Sequence, residues 1–154
     1  MTSKLKKYFR LPKNKRNRFE EGGRRLIKKK KANINPFFSI ITVVLNNEKF
    51  IEQTIKSVLS QKYKNFEYII IDGGSTDNTV EIIKKYKKNI DYWVSEKDKG
   101  LYDAFNKGMS VAKGEFIGII NSDDLYTKNS LSIISKYVFN NKKIDFIFGS
   151  VKKH

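Results

Sequence analysis

Apolar residues in this chain recur in two alternating rhythms. Phe37 to Leu45, F-F-S-I-I-T-V-V-L, is β-branched and apolar nearly throughout, the composition of a strand buried on both faces of a parallel sheet. Asn46, Asn47 and Glu48 form a polar elbow, after which Phe50, Ile51, Ile55, Val58 and Leu59 return at helical spacing through Gln61. Asn65 to Asp72, N-F-E-Y-I-I-I-D, repeats the strand pattern. The loop Gly73 to Asn78 follows, then a helix with Val80, Ile82, Ile83 and Tyr86 apolar, for which Ser75 or Asp77 is the expected cap. Ile90 to Ser95 predicts a shorter strand, Leu101 to Ala112 a helix stopped by Gly114, and Phe116 to Ile120 another strand. A helix through Ser130 to Asn140 carries Leu131, Ile134 and Val138 as its stripe, and Ile144 to Phe148 predicts a last strand. Strands alternating with helices at these intervals predict an α/β fold, a mostly parallel sheet with helices on both faces, wound right-handedly.

Composition alters this picture mainly at the amino end. The 154 residues suffice for one domain with a sizeable core, and the formal charge is +16. Fourteen of the 32 Lys and Arg fall in residues 1–36 against two acids, so the basicity belongs to a leader. Tyr8, Phe9, Leu11, Phe19, Leu26 and Ile27 are scattered through it, while Pro12, Gly22 and Gly23 interrupt any long helix. Such a segment reads as a partly disordered, solvated leader or as a contact for an anionic membrane surface. Nucleic acid is disfavoured, because the aromatics follow no RRM-like or OB-like strand pattern. There is no cysteine, which removes disulfides, thiolate metal sites and a cysteine nucleophile and favours a reducing compartment. With no apolar run approaching the ~20 residues of a membrane span and no signal-peptide core, the expected location is cytoplasmic, peripheral at the inner face of the membrane if the leader binds lipid.

Candidate chemistry gathers just after the strands, at Asn46 to Glu48, Asp72 to Asp77, Glu96 to Asp103 and Asn121 to Asp124. In a parallel sheet these loops emerge at one edge and line a single crevice. The central stretch is Glu115 to Tyr126, E-F-I-G-I-I-N-S-D-D-L-Y, where a buried strand delivers the adjacent acids Asp123 and Asp124 to that edge. Two such carboxylates repel, and Mg²⁺ or Mn²⁺ held with diphosphate oxygens relieves the repulsion. The competing reading is that Ser122, Asp123 and Asp124 cap the helix starting near Lys128. Gly73 and Gly74 allow close backbone approach to a ligand, and Asp72 can accept hydrogen bonds from a base or ribose; the same pattern also serves as an ordinary capping connection. Lys99 can neutralise phosphate or simply be solvated. No G-x-G-x-x-G or G-x-x-x-x-G-K-[ST] sequence occurs, which disfavours dinucleotide oxidoreductases and P-loop enzymes. His154, the sole histidine, sits at the terminus, which excludes a Ser-His-Asp triad and a multi-histidine zinc site.

Five motifs, taken together and in order, resemble the amino-terminal half of a family 2 glycosyltransferase with the GT-A fold. They are S-I-I-T-V-V-L-N-N-E from Ser39, S-V-L-S-Q from Ser57, I-I-I-D-G-G-S-T-D-N-T from Ile69, S-E-K-D-K-G-L-Y-D-A-F-N-K-G from Ser95 and A-K-G-E-F-I-G-I-I-N-S-D-D from Ala112. The resemblance implies transfer of a sugar from a nucleotide-diphosphate donor to a saccharide or lipid-linked acceptor, with inversion, assisted by Mg²⁺ or Mn²⁺. It places Asp124 on the metal, Asp123 by the ribose, sugar or metal, Asp72 on the nucleoside, and the backbone near Val43 and Val44 beside the base. Asn46, Glu48, Gly73 and Ser75 fall in the same donor-binding loops, and Lys99, Asp103 and Asn106 in the segment that packs on the donor. Many members carry two acids after the second strand; here Gly73 replaces the second. After Asp124 the only acid is Asp145, so the general base that deprotonates the acceptor is expected beyond His154. The chain is therefore expected to be a donor-binding half, either part of a transferase or a non-catalytic nucleotide-sugar binding module.

Overall fold

The computed structural model describes residues 18–27, 36–141 and 143–149. Five strands form one sheet: β1 (Arg18–Gly22), β2 (Phe38–Val44), β3 (Phe66–Asp72), β4 (Tyr92–Glu96) and β5 (Phe116–Asn121). Their spatial order is β1-β4-β3-β2-β5. The four central and far strands run parallel, and β1 joins β4 antiparallel. Between them lie α1 (Arg24–Ile27), α2 (Ile51–Leu59), α3 (Thr79–Lys85) and α4 (Leu101–Val111), with α5 (Ser130–Asn140) after β5.

Every residue of β2 is buried, as its unbroken apolar run requires. Alternate residues of that strand serve opposite cores. Phe38, Ile40 and Val44 pack with Ile51, Ile55 and Val58 of α2, Ile83 of α3 and Leu131 of α5. Ile41 and Val43 pack with Ile69, Ile71, Val94 and, from α4, Ala104. Helix α4 can lie close because Gly108 faces the sheet, where a Cβ would come within 2.6 Å of Ile41 Cγ2. Alanine there would gain ~1 kcal/mol of helix propensity. Overpacking a core costs ~1–3 kcal/mol, so contact with the sheet decides the residue.

Two elements depart from expectation. Strand β1 forms inside the basic leader, where charge masked any strand pattern. It and the following α1 are held by specific partners: Glu20 pairs with Lys84 at 2.5 Å, Glu21 accepts the Tyr92 hydroxyl at 2.9 Å, and Arg24 of α1 meets Asp91 at 2.7 Å. Arg25 reaches further in, donating to the Glu67 carboxylate and to the Val111 carbonyl at 2.8 Å. The second departure is that 144–149 adopt no regular structure, contrary to the strand expected at Ile144 to Phe148. Phe146 and Phe148 are 82% and 91% exposed, so no apolar cover among the described residues holds them against β5. Residues 1–17 and 28–35 of the leader lie outside the described residues.

Glu67 is 5% exposed and also accepts Ser39 Oγ and the Lys113 amide, both at 2.6 Å. Removing it strands a largely buried guanidinium and two further donors. Glu67→Ala is expected to lower unfolding stability by about 3 kcal/mol, read as a fall in the urea midpoint.

Candidate functional site

From β2 the chain steps outward to β3 and β4, then crosses back to place β5 on the other side of β2. The crevice beyond the carboxyl ends of adjacent parallel strands is where open α/β sheets bind ligands. Register aligns the strand ends: Val44 pairs with Asp72 and Val43 with Asn121. All three following loops consequently start at one level.

Polar side chains lace these loops together. Across the crevice, Asn47 Nδ2 donates to Ser122 Oγ at 2.8 Å, and the Thr54 hydroxyl lies 2.9 Å from the carbonyls of both Ser122 and Asp124. Ser57 Oγ accepts the Tyr126 amide at 3.2 Å, and burial pushes the Tyr126 phenol up to about 12. On the other side, Asn46, at φ 50°, donates its amide to Ser75 Oγ and accepts the Thr76 amide on Oδ1, each at 2.8 Å. Glu48 Oε2 accepts both the amide and the side-chain nitrogen of Asn78 at 2.9 Å. Asp77 accepts the Glu48 and Thr79 amides at 3.1 and 3.0 Å. Burial acts to raise the Asp77 carboxyl, but the Thr79 and Glu48 hydrogen bonds outweigh it and hold it below the usual value of 3.8. Asp77, rather than Ser75, thus meets the first turn of α3.

Asp72 is fully buried. Its Oδ2 accepts the Gly74 and Ser75 amides at 3.0 and 2.9 Å and Ser95 Oγ at 2.7 Å, while Oδ1 accepts Ser75 Oγ. Four donors occupy a group with about four acceptor positions, so this carboxylate shapes the glycine loop from within. The Val44 carbonyl is likewise engaged, accepting the Gly73 amide at 2.9 Å, and the Val43 side chain is buried in the core.

Asp123 and Asp124 are exposed on the β5 lip of the crevice. Asp124 Oδ2 accepts Asn121 Nδ2 at 3.0 Å, and Asp123 has no hydrogen-bond partner among the described residues. Neither acid caps the next helix, which begins only at Ser130, after Asn129 and beside a 2.8 Å contact between the Thr127 and Ser130 hydroxyls. Ser122 is drawn the other way, to Asn47. Among the described residues no three His, Cys, Asp or Glu side chains converge as a metal cage. Two open carboxylates do fit a hard cation of the Mg²⁺ type, which takes one or two carboxylates and completes its shell from phosphate and water.

Between β4 and α4, the Lys99 amide donates to Asp103 Oδ2 at 3.0 Å, and the Lys99 side chain faces solvent. Asn106 is exposed in the middle of α4 and makes no hydrogen bond to the interlocked loops among the described residues. The residue that organises this segment is Lys107, only 7% exposed. Its ammonium reaches Glu96 at 3.1 Å, Asp103 at 3.3 Å and the Lys97 carbonyl at 2.9 Å. Burial acts to raise the Asp103 carboxyl; the Lys99 amide and Lys107 overcome it and lower it. In so lysine-rich a chain, only the Asp103–Lys107 spacing of one helical turn could have singled Lys107 out.

These features define an α/β transferase of the GT-A type, and solved structures bear out that class. A TarS fragment from S. aureus in complex with UDP-GlcNAc superposes with a TM-score of 0.63 at 29% identity, covering 68% of this chain and 32% of that one. The mannosyltransferase PcManGT from Pyrobaculum calidifontis, in complex with GDP-Man and Mn²⁺, shares the fold with a TM-score of 0.62 at 23% identity, covering 68% of this chain and 32% of that one. The sequence pattern of glycosyl transferase family 2 matches residues 39–153, and the chain belongs to that family. A PGL/p-HBAD biosynthesis glycosyltransferase of Mycobacterium bovis is 31% identical over 120 residues, 75% of this chain and 47% of that protein. The glycosyltransferase GlyG of Streptococcus pneumoniae is 32% identical over 120 residues, 76% of this chain and 40% of that protein. The chain thus spans less than half the length of these curated relatives.

The depressed Asp77 carboxyl predicts a signed pH dependence. A group lowered on folding contributes stability above its unfolded value of 3.8 and loses that contribution as pH falls through the folded value. Thermal unfolding of Asp77→Asn is expected to fall below wild type at about pH 6, with the gap narrowing on acidification below 3.8.

Proposed function

We propose that this chain is the donor-binding half of an inverting glycosyltransferase. It takes a sugar from a nucleotide-diphosphate donor to a saccharide or lipid-linked acceptor in cell-envelope polysaccharide synthesis, working at the cytoplasmic face of the membrane. The observation that carries this reading is the Asp123–Asp124 pair. It is exposed just beyond the carboxyl end of β5, takes no part in capping α5 and is tied through Ser122 to the β2–α2 loop. An S. aureus neighbour at 29% identity binds UDP-GlcNAc, which supports a nucleotide-sugar donor.

Asp124 and Asp123 would hold the divalent cation, which when bound neutralises charge on the departing nucleoside diphosphate. The protein's own share is positioning. Asn121 orients Asp124, the Asn47–Ser122 bond fixes the lip against α2, and Thr54 holds the Ser122 and Asp124 backbone from below. Lys99, solvent-facing at the start of α4, adds a mobile positive charge toward the phosphates. Deprotonation of the acceptor falls to a base outside these residues. Asp145, the only later acid, is exposed in the irregular segment 143–149. That same observation favours a second reading, donor binding without turnover by this chain alone.

Asp124→Ala is expected to weaken Mn²⁺-dependent UDP binding at least tenfold in calorimetry while leaving the thermal midpoint near wild type, since the side chain is exposed. A large drop in midpoint would mark Asp124 as structural. Release of nucleoside diphosphate from a panel of nucleotide sugars with Mn²⁺ and acceptor separates the two readings: release supports transfer, and tight binding without release supports the binding module.

Membrane association is proposed for the basic leader. Cosedimentation with phosphatidylserine-containing liposomes is expected for the full chain and lost when residues 1–17 are removed; equal sedimentation of both chains would refute that role.

A further inference from the structure

We propose that Asp98 is the carboxylate that reads the donor's nucleobase, selecting a base such as uracil whose ring N–H has no amino donor beside it, and that position 73 is glycine because this carboxylate occupies the space of its side chain. The inference rests on the donor-site reading above and names the base that the site takes.

A Cβ built on Gly73 would lie 2.5 Å from Asp98 Oδ2 and 3.1 Å from its Cγ. The carboxylate of the β4–α4 loop is therefore seated over the carboxyl end of β3, the neighbour of β2 in the sheet. Its two oxygens are not equivalent. Oδ1 accepts the Gly100 amide at 2.9 Å, while Oδ2 has no donor among the described residues. Asp72, the other acid at this strand end, is fully buried and already holds four donors from the protein.

Placement fits a reader of the base. Gly73 follows β3, Asp123 and Asp124 follow β5, and β2 lies between. Two strand spacings of ~4.8 Å put about 10 Å between the two ends, leaving room for ribose and diphosphate across the end of β2. The loop that carries Asp98 is also fixed from both sides, by Lys107 on the Lys97 carbonyl at 2.9 Å and by the Lys99 amide on Asp103 at 3.0 Å.

Chemistry then selects the base. An ionised carboxylate only accepts hydrogen bonds. With Oδ1 committed to Gly100, one oxygen remains, matched to one ring N–H such as uracil N3–H. Guanine offers two adjacent donors and is best met by both oxygens at once. Adenine and cytosine would turn a ring-nitrogen lone pair toward the charge.

Calorimetry on the full chain with Mn²⁺ tests this, using UDP, GDP, ADP, CDP and inorganic pyrophosphate. Wild type is expected to favour UDP, and Asp98→Ala to lose about 10- to 100-fold in UDP affinity with pyrophosphate binding unchanged. Gly73→Ala displaces the carboxylate, so it should lose a similar factor, and the double variant should lose no more than either single one. Unchanged UDP affinity and base preference in Asp98→Ala would overturn the proposal while the donor-site reading stands. Multiplying losses in the double variant would overturn the link to Gly73. Failure of wild type to bind any of the nucleotides or pyrophosphate would overturn both readings.

Discussion

Strand β2 is enclosed on both faces and both edges, and this constraint governs the rest of the molecule. With apolar cores above and below and strands hydrogen-bonded on either side, polar side chains are costly along most of its length. The exceptions satisfy each other internally, Ser39 with Glu67 and Thr42 with the Tyr68 hydroxyl at 3.0 Å. Chemistry is thereby forced to the carboxyl end, and because β3 and β5 align with β2 in register, their polar ends are forced to the same rim.

The rim is held rigid from within the loops themselves. Asn46, Glu48 and Asp77 interlock the first two loops, and Asn47 and Thr54 tie the first to the loop that carries the acid pair. The acids differ in how much of their hydrogen-bonding capacity the protein itself takes up. Buried acids such as Asp72 and Glu67 spend their acceptor capacity on the protein, whereas Asp123, Asp124 and one oxygen of Asp98 retain theirs.

Much of this was legible in the chain. Continuous Ile and Val runs announced β2, β3 and β5, and helical spacing announced α2 through α5, because both patterns follow directly from burial. What escaped notice depended on distant partners. β1 draws its order from Lys84 and Tyr92, and α1 from Asp91 and Glu67, none of them near in sequence. The aromatic run near Phe146 looked like a strand, but local propensity supplies no neighbour to pair with. Asp72 sat in a motif that suggested ligand contact, and only the convergence of Ser75 and Ser95 revealed that it was already engaged. Asp98 and Lys107 were lost in a charged stretch whose meaning lies in the packing of α4.

The outer side of β5 has a further implication. Within the described residues this strand is bonded to β2 alone, and Ile119 on it is 48% exposed. A bare row of amides and carbonyls with apolar flanks is a template that any extended peptide can join. Left uncovered, it favours assembly of one copy upon another through their sheet margins, and a charged residue or proline introduced along it would be the natural remedy when the chain is handled alone.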